Sequence, residues 1–434
     1  MRGDAAGTGN VFGVRNFRLV FFGALVSELG ALLYSFAVSF YILEISGNSA
    51  FLQGLYLALC GAAMLILTPV GGVMGDRFDK AKIMAVCDFL KGGTIALATA
   101  LMLVFRDPDA HIAILFTLGI LGSAVSGVFN PAAGALLPHI VTEDRLQQAN
   151  SYFTIKSSLE SILGVILAGI LYAALPIHTL FFLVGGCFIL SGVSEMFIRC
   201  DRVAPEGRLT LRAAFRDMGD GIRYLRTQKA ILALLGAILF INFFFSPVTG
   251  NFIPYFVRTD LNPASSYLFD SVLTPEMWSS VFSACFGMSS LIGAAILSAR
   301  PQADKCGFRV ALRLCAVAVI MVGATACYCL TAARGSGLNI FLIAFCLCCL
   351  AIGALISWIN IPVTTAVMRI VDRDKLSKVN SIISIGSQGM IPLASVLAGA
   401  VLNAMGSAAL LAAWSLGFTV TAALLLFSRP VRDL

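Results

Sequence analysis

The sequence predicts an all-α membrane protein: twelve transmembrane helices in two pseudo-symmetric six-helix bundles. Three observations carry that reading. The 434 residues are 59% hydrophobic and only 12% charged, with a mean hydropathy of +0.91, which leaves too little polar surface to clothe a soluble globule of this length. Twelve apolar stretches are each long enough to cross a bilayer, which takes about 20 helical residues for roughly 30 Å of hydrocarbon. A charged cassette also occurs twice, 230 residues apart: "IVTEDRLQQANS" from Ile140 and "IVDRDKLSKVNS" from Ile370 agree at six of twelve positions.

In chain order, residues 1–16 ("MRGDAAGTGNVFG" and the residues after it) are Gly-rich and lack an apolar core, so they read as a cytoplasmic tail rather than a cleavable signal. The first bundle occupies 17–198, with spans beginning near Phe17, Ala50, Ile83, Ile112, Ala149 and Thr179. Residues 199–229 form the one long charged stretch. Within it Leu211, Phe215, Met218, Ile222 and Leu225 recur at steps of four and three, opposite Arg212, Arg216, Asp217 and Arg223. That pattern predicts an amphipathic helix lying on the membrane surface and tethering the halves. The second bundle occupies 230–428, with spans from Ala230, Met277, Val310, Leu338, Val379 and Ala408, and 429–434 is a second tail. Strand-like alternation, which a membrane barrel needs, is absent from the sequence. Ten of the twelve cysteines fall inside spans, where a thiol acts as a small apolar filler rather than a disulfide or metal ligand.

Charge sets the orientation. With the N-terminus in the cytoplasm, 25 of the 30 Lys and Arg residues fall on the cytoplasmic side, and only Arg106, Arg258 and Arg334 fall outside. The net charge of +7 therefore reports topology, not nucleic-acid binding, and both termini are cytoplasmic. Each cassette then sits on the inner side, after the fourth and the tenth spans, so the offset maps helices 1–6 onto 7–12. Such parallel repeats build one large class of secondary transporters. A second duplication supports it. "GGVMGDRFDKAK" joins spans 2 and 3 and "ADKCGFR" joins spans 8 and 9, matching Asp76-Arg77 to Asp304-Lys305. An acid there can face the positive N-terminus of a helix from the opposite half and latch the cytoplasmic side; the plainer reading is a solvated turn.

These residues resemble the major facilitator superfamily, whose signature between helices 2 and 3 is matched by Gly72, Asp76, Arg77, Lys80 and Lys82. Three further stretches resemble the branch that contains macrolide-efflux and enterobactin-exporter proteins: "FNPAAGALLPHIVTEDRLQQANS", "CDFLK" and "FSPVTGNFIPYFVR". The chain departs from that branch at Ala133 and Lys91, where Arg is common, and at Val165, where the helix 5 antiporter motif usually has Pro. The resemblance implies a major facilitator fold in a cell membrane, such as a bacterial inner membrane. It also implies a cavity lined by helices 1, 4, 7 and 10, and a cytoplasmic gate at Gly72, Asp76, Arg77, Lys80, Asp304 and Lys305. On the cavity helices lie Tyr34, Tyr41, Asn242, Phe243, Phe244, Asn251, Tyr255, Trp358 and Asn360. An aromatic wall with a few amides suits an amphipathic or lipophilic small molecule, although each such ring can equally be packing or facing lipid.

Ionisable groups at membrane depth are costly and default to function. Glu28 and Glu160 each lie about twelve residues, or roughly 18 Å, from the cytoplasmic end of a span, and Lys156 is one turn from Glu160. These three are the candidates for proton coupling; the plainer readings are a Glu28 carboxyl bonded within its own helix and a structural Lys156–Glu160 pair. Asp88 and Lys91, on peripheral helix 3, read as a structural pair. His111, His139 and His178 stand near span ends without a nucleophile or metal-ligand spacing, so neither an enzyme nor a cofactor is expected. The function expected is proton-coupled export of a small molecule by a monomer in the bilayer. The alternatives are a lipid or lysolipid translocator of the same fold and a transport-inactive membrane sensor.

Overall fold

The computed structural model describes residues 10–142, 145–199, 223, 229–261, 266–298, 306–334, 337–370 and 376–427. Helix dominates throughout. The first half comprises α1 (Arg15–Ile45), α2 (Ala50–Arg77), α3 (Lys80–Val104), α4 (Pro108–Ile140), α5 (146–174) and α6 (Ile177–Met196). The second comprises α7 (229–261), α8 (Pro275–Ser298), α9 (Cys306–Leu330), α10 (Leu338–Ile370), α11 (376–405) and α12 (407–427). Ten helical runs among the described residues are long and apolar enough to cross a membrane. The last of these is both α11 and α12, which run on through a break at Gly406, whose φ of 76° is a left-handed conformation that glycine adopts without penalty. The run over 229–261 lies where the sequence predicts the seventh span.

Local chemistry sets the helix starts. The Ser49 hydroxyl accepts from the Leu52 N–H to begin α2, and the Asp79 carboxylate accepts from the N–H groups of Ala81 and Lys82 to begin α3. Pro108, whose missing N–H costs nothing in a first turn, opens α4. Two helices widen into π turns. In α5 this happens at Glu160–Gly164, and in α7 at Val248–Phe252 and again at Val257–Leu261, on either side of Ile253–Phe256. Pro247 and Pro254 lack the N–H that a regular α7 would need, and a wider turn accommodates them.

Packing repeats the duplication seen in the sequence. Within the halves α2 packs on α4 and α8 on α10, and across them α2 packs on α11 and α5 on α8. Both pairings are equivalent under a shift of six helices. The second half has an aromatic core of Phe252, Phe256, Phe282, Phe341, Phe345 and Trp414. Large apolar side chains point outward on the peripheral helices, among them Leu90 and Leu97 on α3, Leu190 on α6, Val319 on α9 and Leu424 on α12, as burial in hydrocarbon demands. The surface helix expected from Leu211 to Leu225 lies outside the described residues.

Candidate functional site

A cavity of roughly 720 Å³ lies between the halves, walled by α5 on one side and by α7, α8 and α10 on the other. Its volume suits a drug-sized ligand. The α5 wall is a ladder of Asn150, Thr154, Ser157, Ser158 and Ser161, polar side chains recurring at steps of four and three along one helix face. Facing it stand Phe245, Phe282, Phe286 and Phe345, with Thr249, Ser283 and Ser290 between them. Several wall hydroxyls give their protons to their own helix: Thr154 to the Asn150 carbonyl at 3.0 Å, Ser161 to Ser158 at 2.8 Å, and Thr249 to Ser246 at 3.2 Å. What they turn to the cavity is lone pairs. Ser161 and Val248 both belong to π turns, so the widened segments of α5 and α7 shape the cavity.

Beside this cavity lies a three-charge cluster. The Lys156 ammonium is 2.7 Å from Glu28 Oε2, across from α1, and 3.5 Å from Glu160 Oε1 on its own helix. Lys156 and Glu160 are buried, whereas half of the Glu28 side chain is exposed. Phe153 joins cluster to cavity: its ring centroid is 5.5 Å from the Lys156 ammonium, and it also lines the cavity wall. Leu32, one turn along α1 from Glu28, lines that wall too. One cation serves two carboxyls, so a single ionised carboxylate balances the lysine and the other has no cation of its own.

Polar contacts between the halves, among the described residues, cluster at the face opposite to that on which α1 begins. Arg258 on α7 reaches Glu44 on α1 at 2.7 Å and Glu276 on α8 at 3.6 Å, and Tyr172 on α5 donates to Glu44 at 3.5 Å. Gln53 donates to the Gly250 carbonyl at 3.0 Å, and Ser280 to that of Val165 at 2.7 Å. The cavity instead extends toward the near face, where Asn150 stands in the first turn of α5. Sequence reading placed Arg258 merely among the outer cations. Its partner across the halves, Glu44, is over 200 residues away, and no local pattern marks it. Arg258→Gln is expected to loosen the far face, and should raise labelling of a cysteine placed at Gln53 by a membrane-impermeant maleimide; unchanged labelling would remove Arg258 from the closure.

The family model of the Major Facilitator Superfamily matches residues 20–344. The chain belongs to the Major Facilitator Superfamily. Relatives are distant. An uncharacterised MFS-type transporter of Bacillus subtilis (strain 168), YkuC, is 25% identical over 66% of this chain and 65% of its own length. Macrolide efflux protein A of Streptococcus pyogenes is 23% identical over 55% of this chain and 58% of its own. Enterobactin exporter EntS of Salmonella typhi is 29% identical over 36% and 37% respectively. The chain thus matches less than two thirds of the length of each of these three. Among solved structures, a mutant of the nucleoside transporter NupG superposes with a TM-score of 0.75 over 95% of this chain and all of that one, at 12% identity. A bacterial homologue of the iron transporter ferroportin gives 0.69 over 97% of this chain and 100% of that one, at 17% identity. These likenesses are of fold. A superfamily member with these spans is a multi-pass membrane protein.

The other residues read from the superfamily pattern lie elsewhere. None of Tyr34, Tyr41, Asn242, Phe244, Asn251, Tyr255, Trp358 and Asn360 lines the cavity described above. Tyr34 packs on Phe181, and the Tyr41 hydroxyl lies 2.6 Å from His111 Nδ1. Buried Asn251 donates to the Ser395 carbonyl, and Trp358 donates to that of Gly293 at 2.7 Å while its own carbonyl accepts from Arg313. Phe244 meets Phe243 edge-on, Tyr255 and Asn242 are half-buried on α7, and Asn360 is exposed on α10. At the near face Gly72 and the backbone of Asp76 and Arg77 belong to the last turns of α2, and Lys80 opens α3. The side chains of Asp76 and Arg77, and all of Asp304 and Lys305, lie outside the described residues.

Proposed function

We propose that this chain is a proton-coupled exporter of amphipathic or lipophilic small molecules that works by alternating access. One observation carries the reading: a cavity between the halves, with phenylalanine on one wall and hydroxyls on the other, adjoins a buried lysine shared by two carboxyls. Apolar rings take up the frame of an amphipathic molecule, and the lone pairs of the α5 ladder orient its polar groups. The near face is the cytoplasmic one by the distribution of Lys and Arg, so the cavity is loaded from the cell interior. Relatives named for macrolide efflux and enterobactin export agree with outward movement of bulky molecules. Protons couple to it through Glu28, Lys156 and Glu160, which trade ionic partners as one side closes and the other opens.

Ligand-induced unfolding shifts test the substrate class. Macrolides, catecholate siderophores and lysolipids are each added to purified protein; a ligand present at 100 times its Kd stabilises the folded state by about 2.7 kcal/mol. At least one of them is expected to raise the unfolding temperature, and Thr154→Val, which keeps the shape but removes the hydroxyl lone pairs, to weaken that ligand several-fold. A stabilising ligand that binds Thr154→Val and wild type alike would place the substrate elsewhere.

A further inference from the structure

The first bundle holds a second group of buried charges that the transport reading does not use. Asp88 and Lys91 on α3 and Glu195 and Ser191 on α6 are all at least nine-tenths buried, on faces where those helices pack together. Ser191 and Glu195 are one turn apart on the same face of α6. The Lys91 ammonium stands 3.7 Å from Asp88 Oδ1 and is drawn over the Phe129 ring of α4, 4.1 Å from its centroid. The Glu195 carboxyl is near enough to both for their charges to act on it, yet it forms no ion pair with Lys91. Both Glu195 oxygens and both Asp88 oxygens lack a hydrogen-bond donor, and the Ser191 hydroxyl lies beside Asp88 without completing a bond of normal geometry.

Buried polar atoms without partners are rare and call for a missing ligand, because each costs the desolvation of the group. Both Glu195 oxygens and Asp88 Oδ2 here have neither a hydrogen bond nor an ion pair. Among the described residues no other charged group faces the site from α3, α6 or the neighbouring α4 and α1: the Cys87 thiol is adjacent on α3, α4 presents Phe129, and α1 presents Gly23 against Ser191. With both carboxyls ionised, the form a bound cation selects, two carboxylates and one ammonium leave a single negative charge.

We propose that a monovalent cation of sodium size binds between Asp88, Ser191 and Glu195 inside the first bundle. The charge count selects the ligand. A divalent ion would leave a buried surplus of positive charge beside Lys91, whereas a monovalent one brings the group to neutrality. Carboxylate and hydroxyl oxygens are the hard donors that alkali cations take. Access is from the near face, since Glu195 stands one residue before the end of α6. The bound ion ties α3 to α6 and fixes the outer wall of the first bundle.

The test is the unfolding temperature of the purified full chain in sodium, potassium and choline chloride at equal ionic strength. Sodium is expected to raise it saturably by about 2–4 °C, the shift that a modest binding free energy gives in a bundle of this size. Glu195→Gln removes the surplus charge, so it is expected to unfold in choline at or above the wild-type temperature and to show no sodium response. Ser191→Ala is expected to need several-fold more sodium for the same rise. Equal wild-type temperatures in the three salts would overturn the site, as would a sodium response retained in Glu195→Gln. If Glu195→Gln fails to fold, Ser191→Ala decides: an unshifted sodium midpoint overturns the proposal.

Discussion

Glu28→Gln is expected to abolish substrate accumulation driven by a proton gradient while sparing downhill flux. Glutamine keeps the size and much of the hydrogen bonding of the carboxyl but cannot titrate. Lys156 is held 2.7 Å from Glu28 and 3.5 Å from Glu160, so the lysine can lean toward either acid. Half of the Glu28 side chain is exposed while Glu160 stays enclosed. Coupling requires such an asymmetry, because an acid must exchange its proton with one side at a time. The measurement is uptake into vesicles with and without an imposed pH gradient, and a Gln variant that responds fully to the gradient would pass the coupling role to Glu160. The lysine has a larger structural part. Lys156→Met leaves Glu160 enclosed without its cation, and removing one partner of a buried pair costs on the order of 3–5 kcal/mol, which denaturant unfolding in detergent would register.

Gly399→Ala is expected to hold the far face open. At the crossing of α2 and α11 a Cβ on Gly399 would stand 2.5 Å from the Ala50 carbonyl oxygen and 3.2 Å from the Gly54 Cα, and one on Gly54 would stand 2.3 Å from the Ser395 carbonyl oxygen. These are backbone atoms that cannot swing aside, so the helices themselves must part. Small residues at such a crossing let two membrane helices approach closely without a hydrophobic drive between them. Spin labels at the exposed Arg106 and Ser271, at far-face turns of the two halves, should report a longer mean distance in Gly399→Ala. Gly389→Ala on the same helix is the control, since a Cβ there meets nothing within 4 Å. Equal distances in the two variants would mean that this crossing does not seal the far face.

Much of the fold was legible because a membrane helix has one dominant signal, a long apolar run, and because the duplicated cassette related the two halves. The helix rotations were not. Hydropathy places Glu28 and Lys156 at similar depth, so the lysine could be expected to neutralise either acid, but it leaves open which faces of α1 and α5 meet; the fold sets the lysine against both. The π turns were hidden for a related reason. In α7 the prolines mark where a widening is needed, whereas in α5 nothing local to Glu160–Gly164 announces one. For the cavity, attention to rings and amides on helices 1, 4, 7 and 10 passed over the α5 ladder, since single Ser and Thr residues in membrane helices usually bond back to their own carbonyls. Thr154 and Ser161 do so. The available signal was their recurrence with Asn150 and Ser157 on a single face.

The central claim is that outward movement of an amphipathic molecule is exchanged for protons, and simultaneous recording of both fluxes tests it most directly. Purified protein is reconstituted in vesicles holding a pH-sensitive dye, and the compound that gives the largest unfolding shift is added to the side bearing the near face. Wild type is expected to carry the compound across and protons in the opposite direction in fixed ratio, and Glu28→Gln to carry the compound with no proton movement. Substrate flux in wild type without any proton counterflow would contradict the account.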